Sequence, residues 1–501
     1  MLRKVKLVLP IISSVLLILT FPRFNLEFLA WIALIPLFFA LENKNIKQRF
    51  AIGYLFGLIF FSGILYWLIY VTVPGAIILV LLLSFAPAIF CILYRPSSIV
   101  HRSSVLVIPS AWVITEYLRT YLFTGFPWAL LGHSQYLNLP VIQISDITGS
   151  YGVSFIIVLV NFCIYTIIKK LPNKKIFATL GISILIVTVF YGFYRLNQKY
   201  MIPPIKVAVV QGNIPQSMKW DRTYEKFILD KYESITLEAQ EGKPDIIIWP
   251  ETSVPGILGR DKHIFNRVTN LARSIDADLL IGTIREIDSK FYNSATLVSK
   301  KGKILGSYDK LHLVPFGEYV PLEKYIPWFR NIIDKPIGDF EPGTEFKLLK
   351  VKTEEASVIG DSIIKGSRFY RFGTLICFED IFPNLARRFV KKGACFLVNI
   401  TNDAWFGKTG APYQHVQSSV FRAVENRIPV IRSANTGVSC FIDQKGSIID
   451  TVKKDGEEIF VDGYTQRNIY PLRISTVYTR FGDIFCYICF AIFIIFFIKR
   501  R

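Results

Sequence analysis

The sequence predicts a polytopic α-helical membrane domain of about eight transmembrane helices joined to an extracytoplasmic α/β domain. Three observations carry that expectation: long apolar runs recur before about residue 195, the apolar period changes to that of strands and amphipathic helices after about residue 204, and basic residues fall in alternate loops between the runs. With 52% hydrophobic and 15% aromatic residues and a mean hydropathy of +0.40, the 501-residue chain is too apolar for an ordinary cytosolic enzyme.

The apolar runs lie near residues 7–22, 26–41, 50–72, 75–94, 103–118, 152–168 and 176–194, with an eighth at 484–498. At about 1.5 Å per helical residue, such runs approach or exceed a hydrocarbon core about 30 Å thick. Arg3, Lys4 and Lys6 ahead of the first run also fit a signal peptide, but no small-x-small cleavage site follows. The second and fifth runs are short and contain Pro36 and Pro109, so a core helix or re-entrant segment stays open for each.

With a cytoplasmic N-terminus, the cytoplasmic loops carry Lys44, Lys47 and Arg49, then Arg95 and Arg102, then Lys169, Lys170, Lys174 and Lys175, and the tail carries Lys499, Arg500 and Arg501. The short opposite loops hold little beyond Arg23 and Arg119. This positive-inside pattern puts residues of about 200–480 on the outer face of the membrane. The expected division is a seven-helix membrane domain at 1–195, an outer catalytic domain at 200–478, and a terminal helix with a cytoplasmic tail at 484–501. These loops account for much of the formal net charge of +20, so nucleic acid is not expected as a partner, and membrane lipid is.

Seven cysteines give no framework. Cys91, Cys163, Cys486 and Cys489 fall in apolar runs, and Cys486 and Cys489 lack the second pair or histidine that a metal or redox site needs. Cys395 and Cys440 sit in strand-like runs where an inert core thiol is the default. No metal or cofactor is expected.

Between the seventh and eighth runs, residues 205–210, 245–249, 278–282, 295–298, 374–377, 395–400 and 438–442 read as strands. Helical spacing appears at 223–240, 264–275 and 383–392, the last stopped by Gly393. Such alternation over roughly 280 residues describes one enzyme-sized domain. The least patterned stretch, 323–367, reads as a mobile excursion and a candidate lid.

Two side chains stand where open α/β sheets form sites, at the carboxyl ends of strands. Pro250 terminates an isoleucine run and delivers Glu251; Cys377 ends an apolar strand ahead of a helix. Lys310 follows a hairpin turning at Lys301-Gly302-Lys303. A carboxylate, an ammonium and a thiol supply the base, the oxyanion partner and the nucleophile of acyl transfer through a thioester, with the helix and lysine expected to push Cys377 toward thiolate. Taken singly, each has an ordinary reading: a solvated strand end, a surface charge, a core thiol. A Cys-His pair using His312 or His415 is the competing arrangement, although neither histidine has an evident orienting partner. Glu116 and Arg119, at the end of the fifth run, could pair or meet lipid headgroups.

Trp249-Pro250-Glu251, Tyr308-Asp309-Lys310 and the Cys377 strand resemble the three signature stretches of the nitrilase, or carbon-nitrogen hydrolase, superfamily. Within it, the chain resembles the bacterial apolipoprotein N-acyltransferase family through Thr124-Gly125-Phe126-Pro127-Trp128, Gly132-His133-Ser134-Gln135, the segment 210–216, the segment 312–318 and Asn402-Asp403-Ala404-Trp405-Phe406-Gly407. The resemblance implies a nitrilase-like αββα sandwich, with Glu251 as general base, Lys310 stabilising the oxyanion and Cys377 acylated by a phospholipid. It also implies supporting roles for Trp220, Glu318, Phe378, Glu379 and Trp405. Where the family often has Tyr after the nucleophile, this chain has Phe378, so a role that needs the hydroxyl is in doubt while apolar packing survives.

The implied reaction is ping-pong: a glycerophospholipid acylates Cys377, then the α-amine of a lipoprotein's N-terminal S-diacylglyceryl-cysteine takes the acyl group. A monomer is expected. Two other classes compete: a membrane-tethered amidase using water as acceptor, and a transporter with an inactive outer domain.

Overall fold

Valine- and isoleucine-rich runs bounded by Gly, Pro and Asp suit strands buried on one or both faces. Among the described residues there are twelve strands: β1 (Ile205–Gln211), β2 (Ile246–Ile248), β3 (Asp278–Ile287), β4 (Lys290–Val298), β5 (Ile304–Asp309), β6 (Leu349–Ile359), β7 (Ser362–Ile376), β8 (Phe396–Thr401), β9 (Val430–Ala434), β10 (Cys440–Ile442), β11 (Ile448–Thr451) and β12 (Gly463–Ile469). The computed structural model describes residues 2–94, 104–200, 202–315, 317–319, 340–359 and 362–498, with backbone alone for 2–7, 354–359, 362–366 and 497.

The strands make two six-stranded sheets, in the orders β12-β1-β2-β3-β4-β5 and β11-β10-β9-β8-β7-β6. β1, β2 and β3 run parallel, as do β7, β8 and β9. β1 packs on β9 and β4 on β7, so the sheets lie face to face, while helix Glu225–Gln240 covers β1 and β12 and helix Pro383–Lys391 covers β7. That is an αββα sandwich. Helix Glu225–Gln240 forms because Ile228, Leu229, Tyr232, Ile235 and Ala239 recur at three- and four-residue spacing, and this stripe packs with Val268 and Leu271 onto Val210, Ile247, Trp249 and Leu279. Each large apolar side chain buried there contributes roughly 1.5–3 kcal/mol.

This sandwich belongs to a unit comprising Lys199–Pro412 and Asn426–Ser475; Met1–Gln198, Tyr413–Glu425 and Thr476–Arg501 form another. Segment Tyr413–Glu425 lies within the 200–478 stretch, yet it groups with the helical unit because its polar side chains are satisfied there. Gln414 Oε1 accepts from Trp67 Nε1 (3.2 Å) and Trp128 Nε1 (2.8 Å), and the buried Glu425, paired with Arg422 at 2.8 Å, accepts from Ser150 N. Burying these groups without partners would cost about 1–3 kcal/mol each.

In the helical unit, Val73–Leu93, Ser150–Ile168 and Lys174–Leu196 are long and apolar enough to cross a membrane; Val8–Ile18, Glu27–Ala40 and Ile484–Phe496 are apolar but shorter. The run expected at 26–41 is not one helix. It breaks into a 3-10 turn, Glu27–Trp31, and a short helix, Ile35–Ala40, whose first turn holds Pro36 because proline needs no amide partner there. The run at 50–72 likewise divides, its helix Ile46–Ile64 starting from an Asn45–Gln48 capping box and giving way to a 3-10 turn, Tyr66–Tyr70. Arg95, Arg102, Lys499, Arg500 and Arg501 of the charge argument lie outside the described residues. Glu116 and Arg119 form no ion pair: Arg119 donates to the carbonyls of Phe126 and Trp128, holding the Gly125-Phe126-Pro127 turn, and Glu116 accepts from Leu131 N.

The excursion expected at 323–367 is partly a regular element. Residues 320–339, 360 and 361 lie outside the described residues, but β6 and β7 pair antiparallel from Leu349↔Phe372 to Ile359↔Ser362. Leu349, Val351 and Thr353 alternate inward; Lys350 and Lys352 between them hid that period.

Candidate active site

Three turns deliver three side chains. β2 ends where Pro250 has no N–H to donate, after Trp249 N has bonded Leu280 O at 2.8 Å. The following turn presses on β3 at Gly282, where a Cβ would lie 2.2 Å from Pro250 O and 2.7 Å from Glu251 Cα; only glycine leaves that space. Glu251 is thereby held almost buried, at 7% exposure. Lys310 follows β5, its N–H bonded to Asn293 O at 2.9 Å and its side chain fully buried. Cys377 ends β7 in the left-handed region, φ +52°, an unfavourable conformation for a side-chain-bearing residue and a recurrent one at functional sites. Asn399 Nδ2 secures it by donating to Cys377 O (3.0 Å) and Leu375 O (3.2 Å).

Lys310 Nζ lies 2.9 Å from Glu318 Oε1 and 3.6 Å from Glu251 Oε1, and Asn293 Nδ2 donates to the same two oxygens at 2.8 Å each. Glu318 Oε2 also accepts from Val314 N. Burial alone would lower the Lys310 pKa, but Glu318 and Glu251 outweigh it, so the ammonium is held charged. Cys377 shows the opposite balance. Its half-buried thiol is pushed well above the ordinary range, first by burial and then by the charge of Glu251, with Lys310 pulling only partly the other way. This corrects the expectation of a thiol pushed toward thiolate: desolvation and the facing carboxylate prevail, so the resting site holds a protonated thiol that needs a base.

Residues 206–470 match the carbon-nitrogen hydrolase family, and residues 13–163 match the apolipoprotein N-acyltransferase N-terminal domain. The chain is 39% identical to an apolipoprotein N-acyltransferase of Geobacter metallireducens over 96% of its own length and 92% of the relative's. The chain belongs to the apolipoprotein N-acyltransferase family. A Pasteurella multocida apolipoprotein N-acyltransferase is 29% identical over 94% of this chain and 91% of its own. The crystal structure of Saccharomyces cerevisiae Nit3, a nitrilase-superfamily member, overlaps 55% of this chain and 93% of its own at 18% identity and a TM-score of 0.39.

Other residues singled out from the sequence of this N-acyltransferase family member take distinct places. Glu379, fully buried, accepts from Tyr308 Oη, Leu311 N, His312 N and Ile376 N at 2.7–3.0 Å, tying the Lys310 and Cys377 turns together. Burial pushes its pKa up to about 7. Phe378 packs its half-buried ring 5.1 Å from Phe382 and 6.0 Å from His312. Trp220 leaves its ring 46% exposed, and Trp405 is half-buried in the 3-10 turn Asp403–Phe406, whose Asp403 charge reaches the Cys377 thiol. Of the two histidines of the Cys-His alternative, His312 has its ring 4.0 Å from that of Phe382, and His415 belongs to the helical unit, 5.3 Å from Trp128.

Sequence reasoning missed Lys219, Asn293 and Asn399. Asn293 and Asn399 are interior strand residues, where a buried amide among apolar neighbours is the only signal. Lys219 stood beside Trp220 and looked like surface charge; it is 6% exposed, with Nζ 2.9 Å from Glu251 O and 3.2 Å from Thr252 Oγ1.

Proposed function

We propose that acyl transfer by this chain runs through a thioester on Cys377, with Glu251 as base and Lys310 as oxyanion partner. Its reaction class, the N-acylation of lipoproteins at a bacterial membrane, follows from its family. One observation supports the residue roles most: a raised thiol in a strained turn faces a carboxylate and an ammonium that are themselves held by Asn293 and Glu318.

In the first half-reaction, Glu251 takes the thiol proton as sulfur attacks the ester carbonyl of a glycerophospholipid. The carbonyl pair moves onto oxygen beside Lys310, the ester C–O bond breaks, and Glu251 returns the proton to the departing lysophospholipid. In the second, the α-amine of an N-terminal S-diacylglyceryl-cysteine attacks the thioester, Glu251 accepts an amine proton, and breaking the C–S bond restores the thiol. Water must be kept out, because hydrolysis competes with transfer. Trp220, Phe378 and Trp405 supply aromatic surface suited to acyl chains. About eight spans, with residues 200–478 on the outer face, would bring this site to the outer leaflet; the protein works as a monomer without a cofactor.

The test is incubation with phospholipid and a diacylated lipopeptide, followed by the mass of the peptide. One added acyl chain, lost in Cys377→Ala, is the expected result. An unchanged peptide with released fatty acid would instead favour a membrane-tethered hydrolase.

A further inference from the structure

Among the buried charged groups of the site, Lys219 has no part in the proposed half-reactions. Lys219 Nζ donates to the backbone carbonyl of Glu251 at 2.9 Å and to Thr252 Oγ1 at 3.2 Å, and Thr252 is itself in the left-handed region, φ +44°. The lysine therefore clamps the strained turn that presents Glu251. The residue is 6% exposed, and among the described residues its ammonium bonds no carboxylate, so its charge does not serve an ordinary ion pair.

Lys219 and Lys310 are cations of a site whose buried acids include Glu251, Glu318, Glu379 and Asp403. Acylation adds an oxyanion to that excess of acids, and removing the Lys219 charge would leave less positive charge to compensate it in a buried site.

We propose that Lys219 is a second cation of the site, a positioning residue that fixes the Glu251 turn and whose positive charge is required for Cys377 to be acylated. This rests on the thioester reading above. The titratable groups that face it are Glu251, from the turn after β2, and Cys377, from the end of β7; burial brings the Lys219 pKa down to about 8, and those two groups oppose the fall. The ammonium is thus complete at neutral pH and is lost as pH rises through about 8, whereas an exposed lysine keeps it past 10.

The experiment is single-turnover acylation of the full-length protein by phospholipid with no acceptor amine, followed by intact mass from pH 6 to 10. Wild type is expected to lose rate as pH rises through about 8. Lys219→Arg, which keeps the cation and does not titrate in this range, is expected to carry that loss to higher pH; Lys219→Met is expected to acylate about tenfold more slowly at pH 7 and to lack the step. A Lys219→Met rate within twofold of wild type, or a Lys219→Arg profile with the same alkaline step as wild type, overturns the assignment. Absence of any adduct in wild type overturns the thioester reading and this inference with it.

Discussion

At the scale of single residues, the site works by opposing burial with charge. Glu251 and Lys310 are buried together, and their neighbours make this tolerable: Asn293 Nδ2 bridges Glu251 and Glu318, and Lys310 sits between the same carboxylates. Asn293→Ala removes the shared donor, so the Glu251 carboxylate loses its orientation. A displacement on the order of 1 Å costs as much as 10²-fold. We expect Cys377 acylation to slow by about tenfold to a hundredfold, read as adduct formation per unit time, and a rate equal to wild type would remove Asn293 from the account. The thiol gives a second prediction. Because Glu251 is among the causes that raise Cys377, Glu251→Gln is expected to move its titration to lower pH while abolishing acylation. Alkylation rate against pH reads the first effect; a thiol titration unmoved by the substitution would mean that the two groups do not face each other. The places of Glu251, Lys310 and Cys377 were legible because each follows a strand with a local signature. Asn293 and Lys219 were not, since their importance comes from residues distant in sequence.

Elements position these groups with small tolerances. β3 contributes no functional side chain to the base, yet Gly282 makes room for the turn that carries it. Gly282→Ala would force a Cβ against Pro250 O and Glu251 Cα, at a cost of roughly 1–3 kcal/mol, with the Glu251 turn displaced. Loss of acylation with a retained fold, by circular dichroism and lipid extraction behaviour, is the expected outcome; full activity would show that the turn can shift without consequence. Glu379 performs the complementary task on the other sheet, joining the Lys310 and Cys377 turns through its accepted N–H and O–H groups. Strong strands such as β1, β2 and β8 were readable from continuous branched residues. β6, β11 and β12 were not, because Lys350 and Lys352 in β6, Asp450 and Thr451 in β11, and the run from Thr465 to Asn468 in β12 break the apolar pattern, and helix Ala411–Asn426 was hidden because its buried face is polar: Gln414, Gln417, Arg422 and Glu425.

For the whole molecule, the chain divides into a helical unit and an αββα unit. The proposed orientation predicts that a cysteine at the exposed Lys301 reacts with a membrane-impermeant maleimide in intact cells, while one at Lys47 reacts only after permeabilisation. The reverse pattern would invert the topology. The two units were separable in the sequence by period and charge; the return of Tyr413–Glu425 to the helical unit was not, since only tertiary hydrogen bonds assign it. The central claim is that Cys377 carries the acyl group, and one measurement tests it most directly: intact-mass and peptide mapping of the protein after exposure to phospholipid with acceptor omitted. The account predicts one fatty acyl thioester on Cys377, removed by hydroxylamine, released on adding a diacylated lipopeptide, and absent from Cys377→Ala and Glu251→Gln. Lipopeptide acylation that proceeds in Cys377→Ala, or an acyl adduct on a different residue, would contradict it.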